Sequence, residues 1–117
     1  MGNSQKLRVR QLAKDLAVKI YRLTQKQEFL KDYGFKDQIQ RSAISIPSNI
    51  AEGDELETDK QSVRHFYIAK GSSAELLTQI IIGREIGYIS EAETDLFIND
   101  CKIISVMLTK LIKARSS

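Results

Sequence analysis

The chain has 117 residues, of which 42% are hydrophobic and 28% charged, and its net charge is +3. This length and composition predict one globular domain over residues 1–117 with a real core. They exclude a membrane span, because no apolar run approaches the roughly 18 residues that one needs. A single cysteine, Cys101, excludes an internal disulfide. Since the N-terminus also lacks a secretory apolar segment, we expect a cytoplasmic protein.

The charge is unevenly distributed along the chain. Residues 1–36 carry nine Lys/Arg and three Asp/Glu, a net +6, whereas residues 37–117 carry nine and twelve, a net −3. A basic segment of this kind indicates nucleic-acid binding, and the alternative is an ordinary solvated helix face.

The first predicted helix runs from about Ser4 to Leu30, because apolar residues recur at spacings of three and four. One stripe faces the predicted core: Val9, Leu12, Leu16, Ile20 and Leu23. A second strip lies on the far side: Leu7, Val18 and Tyr21. A helix with two apolar strips usually packs against two neighbours. We therefore expect the second strip to contact another subunit.

The second predicted helix runs from Asp37, its N-cap, to Gly53, where it ends. Gly34 is expected to end the preceding turn in a left-handed conformation. Pro47 removes one backbone hydrogen bond and predicts a bend. The surrounding run 42–53 is crowded with residues that helices disfavour, which marks a packed or functional site.

The third predicted helix covers residues 59–86. A capping box at Thr58–Gln61 opens it, and Gly87 ends it. Inside it, the four small residues Gly71–Ala74 predict a close crossing with another helix.

The fourth predicted helix runs from a second capping box, Ser90–Glu93, to about Lys113. Four helices joined by short turns predict an all-α, up-down-up-down antiparallel four-helix bundle. We expect it to assemble into a homo-oligomer through the second strip of the first helix and the broad apolar face of the fourth.

A polar seam is predicted between the second and third helices. Antiparallel pairing about Leu56 places Arg41 level with Glu75. The same pairing places Glu52 near Arg64. Buried polar groups must be paired, so we interpret the seam as a device that sets helix register. Its members are Arg41, Ser45, Asn49, Ser72 and Glu75.

Residues able to perform catalysis are sparse. The one histidine, His65, lacks the further ligands that a metal requires and is interpreted as a surface or packing residue. Cys101 lies on an apolar row as a small core residue. No phosphate loop, dinucleotide fingerprint or nucleophile elbow is present. We predict no enzyme, metal, cofactor or small-molecule substrate; an enzyme would need an open pocket lined by Glu52, Glu75 or His65.

Basic residues are the feature that can carry binding chemistry. The bundle topology brings the start of the first helix, with Lys6, Arg8 and Arg10, to the end of the fourth, with Lys110, Lys113 and Arg115. An acidic segment, 52–59, lies close by and partly neutralises them. No aromatic residues are interleaved with the bases, so contact would be to the phosphate backbone. The candidate contacts are Arg8, Arg10, Lys14, Lys19, Arg22 and Lys26.

Two motifs resemble a known family. They are Ser45-Ile46-Pro47-Ser48-Asn49-Ile50-Ala51-Glu52-Gly53 and Phe66-Tyr67-Ile68-Ala69-Lys70-Gly71-Ser72-Ser73-Ala74-Glu75-Leu76. Together with Gln38-Ile39 and Gly87-Tyr88-Ile89, they resemble the bacterial four-helix-bundle proteins named for intervening sequences of 23S ribosomal RNA genes.

The resemblance implies a ring-shaped homopentamer. It also implies kinship with the accessory protein of diversity-generating retroelements, a basic protein thought to bind nucleic acid and a reverse transcriptase. Residues 54–57 are acidic where many relatives carry an arginine-rich step, which argues against RNA contact through that loop. We therefore predict a non-enzymatic oligomeric scaffold that contacts structured RNA or a nucleoprotein. The alternative is a protein–protein assembly module without a nucleic-acid role.

Overall fold

The computed structural model describes the backbone of residues 2–116 and the side chains of residues 5–116. Over this range it contains helices and turns and no strand, with overall dimensions of 45 × 23 × 18 Å. The helices are α1 (Gly2–Leu23), α2 (Gln27–Lys31), α3 (Tyr33–Glu55), α4 (Asp59–Glu85) and α5 (Glu91–Ser116).

The four long helices form an antiparallel bundle, as predicted. α1 packs beside α3 and α5, and α4 packs beside the same two, so α1 and α4 lie on one diagonal. The short α2 is an addition to this plan and contacts α3. At the centre, the predicted apolar stripes meet, and burying them is the main source of stability in such a fold. The largest fully buried side chains include Leu16, Ile20, Ile39, Ile46, Ile50, Phe66, Leu76, Ile80, Ile104 and Leu108.

The first helix is shorter than predicted, because it breaks after Leu23 rather than running to Leu30. Buried Thr24 explains the break, since its hydroxyl donates to the carbonyl of Tyr21 (3.0 Å) and accepts from the Gln40 amide (2.9 Å). The chain then turns through α2, which directs the fully buried Phe29 toward the core. The tertiary contacts of Thr24 and Phe29 thus override the helical periodicity of the local sequence.

The start of α3 also corrects the prediction. Asp32, not Asp37, caps the helix, because its carboxylate accepts a hydrogen bond from the Phe35 amide at 3.2 Å. Gly34 therefore lies inside the helix rather than in a left-handed turn. The second oxygen of Asp32 accepts from the Tyr88 hydroxyl at 2.8 Å. This contact across 56 residues favours Asp32 over Asp37 and is invisible in the local sequence.

Gly53 does not end its helix, which continues to Glu55. It is buried where α3 packs tightly on α4: a Cβ atom here would lie 2.7 Å from Cε1 of Phe66 and 3.2 Å from the carbonyl oxygen of Ser62. The Ser62 hydroxyl donates to the Gly53 carbonyl at 2.7 Å. In the run 71–74, the contact with another helix is made by Ser73, whose hydroxyl reaches the Cys101 carbonyl of α5 at 3.2 Å. Gly71 takes no part in it, because a Cβ there would have no atom within 4 Å.

The other helix ends match the sequence signals. The Thr58 hydroxyl accepts from the Gln61 amide at 3.2 Å. Gly87 adopts the left-handed conformation, with φ of 83°, that a glycine tolerates after a helix. Ser90 and Glu93 bond each other's backbone amides reciprocally, at 3.1 and 3.0 Å.

Candidate functional site

The polar seam between α3 and α4 is a chain of hydrogen bonds. The Ser72 hydroxyl donates to the Ser45 hydroxyl at 2.8 Å. The Asn49 amide donates to the backbone carbonyl of Ser45 at 2.8 Å. At the far end, Nδ1 of His65 lies 3.0 Å from Oδ1 of Asn49 and 3.4 Å from a carboxylate oxygen of Glu52. Ser45, Asn49, Ser72 and His65 thus each have a hydrogen-bond partner here, which supports a structural role.

Two of the residue pairs predicted for the seam differ from the pairs in the structure. Glu75 accepts a hydrogen bond from Ser42 (3.0 Å), while Arg41 is exposed. Glu52 lies against His65, while Arg64 is exposed. In both cases the true partner is one position along the helix, and one position rotates a side chain by about 100°. The sequence predicts which residues of α3 and α4 lie at the same height. Which of them face each other also depends on how far each helix is rotated about its own axis.

The structure shows the surroundings of His65 and Cys101. Within residues 5–116, no hydroxyl or thiol forms a hydrogen bond with His65, and no group of three metal-ligating side chains comes together. Burial raises the pKa of the Cys101 thiol to about 12, so it stays protonated and unreactive at neutral pH. Its backbone carbonyl accepts from the Ser73 hydroxyl at 3.2 Å, where α4 crosses α5. No described helix is long and apolar enough to cross a bilayer.

Four of the six basic candidates already have carboxylate partners. The structure places only Arg8 and Arg22 outside every ion pair formed within residues 5–116. The paired side chains are Arg10 with Asp54 (3.6 Å), Lys14 with Asp15 (3.0 Å), Lys19 with Asp100 (3.3 Å) and Lys26 with Glu93 (2.6 Å).

Some of the cations without ion pairs line the α1–α5 groove, a surface cleft of about 480 Å³ between those helices. Its floor is apolar, formed by Ile103, Val106 and Met107, of which Val106 is 55% exposed. Three basic side chains line it, and none of them forms an ion pair within the described side chains: Arg8, Lys102 and Lys110. Arg8 and Lys110 were expected to meet. Lys102 was missed, although its spacing to Val106 and Lys110 places all three on one helix face.

A second cleft, the α1–α3 groove, also has a volume of about 480 Å³. Its floor is almost purely apolar and includes Val18 and Tyr21 of the second strip, with Ile44 and Pro47 from α3. Lys14 and Arg22 stand at its edges. The six basic candidates of the first helix are therefore divided between different sides of the bundle.

The charged end of the bundle is formed by the start of α1, the turn between α3 and α4, and the end of α5. There the Asp54 side chain is only 6% exposed, and its carboxylate lies 4.0 Å from Nζ of Lys6 and 3.6 Å from Arg10. Neither oxygen accepts a hydrogen bond from the described residues. Burial raises the pKa of Asp54, and the nearby positive charges of Lys6, Arg10 and Arg115 only partly offset this.

Arg115 completes the charged end. Its guanidinium lies 3.9 Å from the Asp59 carboxylate and 5.6 Å from the centre of the Phe66 ring. Lys6, Arg10 and Arg115 are thus engaged by acidic residues of the same chain. Lys110 and Lys113 form no ion pair within the described side chains, so the neutralisation of this end is partial, as the topology predicted.

Comparison with known proteins adds a family and a fold. The sequence profile of the 23S rRNA-intervening sequence proteins matches residues 5–110. A solved protein of unknown function from the S23 ribosomal protein family of Bacteroides thetaiotaomicron VPI-5482 superposes with a TM-score of 0.83. The two chains are 24% identical over 90% of this chain and 98% of the other. Among curated proteins, none matches the chain.

Proposed function

Because the chain belongs to the 23S rRNA-intervening sequence protein family, we propose that it is a non-enzymatic scaffold that contacts structured RNA, alone or in a nucleoprotein, through the α1–α5 groove. One observation carries this proposal. Three cations from two helices, Arg8, Lys102 and Lys110, converge on one cleft without a carboxylate to neutralise them.

Free cations matter because RNA binding is driven largely by replacing counterions on phosphates. A lysine held by a carboxylate, such as Lys26 at 2.6 Å from Glu93, must lose that partner before it can contact a phosphate. The cations of the groove have no carboxylate partner to lose among the described side chains. No aromatic side chain lines the groove, so base stacking contributes little. Contacts to phosphates fix the position of an RNA without reading its sequence.

Self-association is the second candidate function, and exposed apolar surface favours it. Leu7 is 64% exposed, Val18 41% and Tyr21 39%, all on the outer side of α1. Val18 and Tyr21 line the α1–α3 groove together with Ile44, which is 47% exposed. Ile103 and Val106 are exposed in the α1–α5 groove, on another side of α1. Exposed apolar side chains grouped in this way mark interaction sites. The ring-shaped homopentamer implied by the family resemblance is one assembly that would cover them.

The test is binding to a labelled RNA hairpin and a matched duplex DNA across a salt series, with oligomeric mass measured by light scattering. The key variant combines Arg8→Gln, Lys102→Gln and Lys110→Gln. Its control combines Lys14→Gln, Lys19→Gln and Lys26→Gln, which removes the same charge from ion-paired positions. We expect the groove variant to lower the slope of log affinity against log salt by about two to three, at roughly 0.9 per lost phosphate contact.

Two outcomes would contradict RNA binding through the groove. One is an absence of binding by the intact protein even at low salt. The other is an equal loss in the groove variant and in its control, which would reflect net charge alone. If the groove variant instead changes the mass of the assembly, with RNA binding absent throughout, self-association is the function of this surface.

A further inference from the structure

We propose that acidic residues beside the turn between α3 and α4 compete with RNA for the cations at the charged end of the bundle. Asp54 holds Lys6 and Arg10. Asp59 holds Arg115. Removing these carboxylates would therefore add cations to the RNA-contacting surface. This inference rests on the RNA-binding function proposed above and concerns how strongly the free protein binds.

The ion pairs at the charged end differ in burial. Arg115 and Asp59 form a long pair, at 3.9 Å, on a carboxylate that is 71% exposed, so this pair contributes little to stability. Lys6 and Arg10 lie 4.0 and 3.6 Å from the buried Asp54, and a buried carboxylate that loses its cations is unfavourable. A phosphate oxygen binds lysine and arginine strongly, but at Asp54 it must offset this cost before it takes over the cations.

Asp54 is held in place by the fold rather than by its ionic partners. It follows Gly53, whose backbone is packed tightly against Phe66 of α4. Its oxygens are buried, with no hydrogen bond from the described residues. The charged groups that influence it are Lys6 and Arg10 from α1, Glu55 from α3, and Arg115 from α5. A carboxylate fixed in this way stays beside Lys6 and Arg10 in the free protein.

The masked cations lie at the height of the α1–α5 groove but on another side of α1. Arg8, which lines the groove, lies within about 3 Å of Lys6 and Arg10 along the helix axis, and two positions rotate a side chain by about 200°. Lys6 and Arg10 instead line a separate cleft with Asp54. In α5, Lys110 of the groove lies five positions before Arg115. Cations released at the charged end would thus form a second positive patch, which an RNA bound in the groove reaches by wrapping around the start of α1.

The first test compares Asp54→Asn with Asp95→Asn for binding to the labelled RNA hairpin. Asp95 is exposed, lies at the opposite end of the bundle and forms no ion pair among residues 5–116. Both variants raise the net charge by the same amount. We expect Asp54→Asn to bind about threefold to tenfold more tightly than Asp95→Asn, with a salt slope steeper by about one to two, because two cations become free.

A second substitution tests whether the gain in RNA affinity depends on the cations that Asp54→Asn releases. Arg10→Gln added to Asp54→Asn should return the affinity toward the value of the intact protein. Asp59→Asn offers an independent check, because its side chain is 71% exposed and its loss cannot disrupt the core. It should give a smaller gain through Arg115.

Equal affinities of Asp54→Asn and Asp95→Asn would overturn the masking proposal while leaving RNA binding by the groove intact. An absence of binding by the intact protein and by Asp54→Asn at low salt would overturn both proposals. Binding by Asp54→Asn when the intact protein binds weakly would be the strongest support for masking.

Discussion

The two ends of this bundle are closed by different physical means. At the end containing α2, three aromatic rings pack together: Phe29 lies 5.7 Å from Phe35 and 5.3 Å from Tyr88 between ring centres. Tyr88 also donates its hydroxyl to the helix cap Asp32. At the charged end, the contacts beside Asp54 are ion pairs of 3.6 and 4.0 Å without hydrogen bonds.

This difference suggests a division of roles between the two ends. Aromatic packing buries apolar area and depends little on salt or pH. Exposed ion pairs such as that of Arg115 with Asp59 are weak and respond to salt, and the cations of this end can change partner to an external anion. We therefore expect the aromatic end to carry more of the stability and the charged end to carry the adjustable binding. The following substitutions test this contrast, from the largest expected effect to the smallest.

Phe29→Ala should have the largest effect. Phe29 is fully buried, and its removal leaves a cavity beside Phe35 and Tyr88. We expect the free energy of unfolding, measured by urea denaturation, to fall by about 3–5 kcal/mol. Leu30→Ala is the matched control, since Leu30 is 51% exposed. A loss below about 1 kcal/mol in Phe29→Ala would show that the aromatic cluster is not a stabilising unit.

Two glycine substitutions should act in opposite directions. Gly53→Ala places a methyl group 2.7 Å from the buried ring of Phe66 and should cost about 1–3 kcal/mol of unfolding free energy. Gly71→Ala meets no atom within 4 Å and should stabilise α4 by about 0.5–1 kcal/mol. Thermal and urea unfolding measure both. If Gly53→Ala were neutral, the close approach of α3 and α4 near the charged end would be refuted.

The smallest expected effect is on how the free energy of unfolding depends on pH, compared between the intact protein and Asp54→Asn. Burial raises the pKa of Asp54 above its ordinary 3.8, so the folded protein keeps this proton to higher pH than the unfolded chain does. Ionisation is then less favourable in the folded state, and stability falls as pH rises from 3.8 through the folded-state pKa. Relative to Asp54→Asn, the intact protein should lose stability across that window and gain none below it. A rise in its relative stability there would reverse the sign assigned to Asp54.

Local signals accounted for much of the fold. The caps at Thr58 and Ser90 and the stop at Gly87 are made by atoms within a few residues of one another, so their meaning is legible in the sequence. The apolar periodicity of the long helices likewise determined which faces are buried, because 3.6 residues per turn tie spacing to direction. These features sufficed to predict the antiparallel bundle.

Only the tertiary structure decided the choices between equivalent local signals. Asp32 and Asp37 are both acceptable caps, and the distant Tyr88 selects the first. Gly53 and Gly71 both lack a side chain, but only Gly53 requires this, because Phe66 of α4 lies against it.

The same holds for the basic helix. Its charges are plain in the sequence, but whether a lysine is free depends on carboxylates as far away as Asp100 is from Lys19. Composition and spacing therefore determined the bundle and its positive segment. Which cations remain available to a partner is settled by contacts between helices, since an ion pair depends on distance in space and not on separation along the chain.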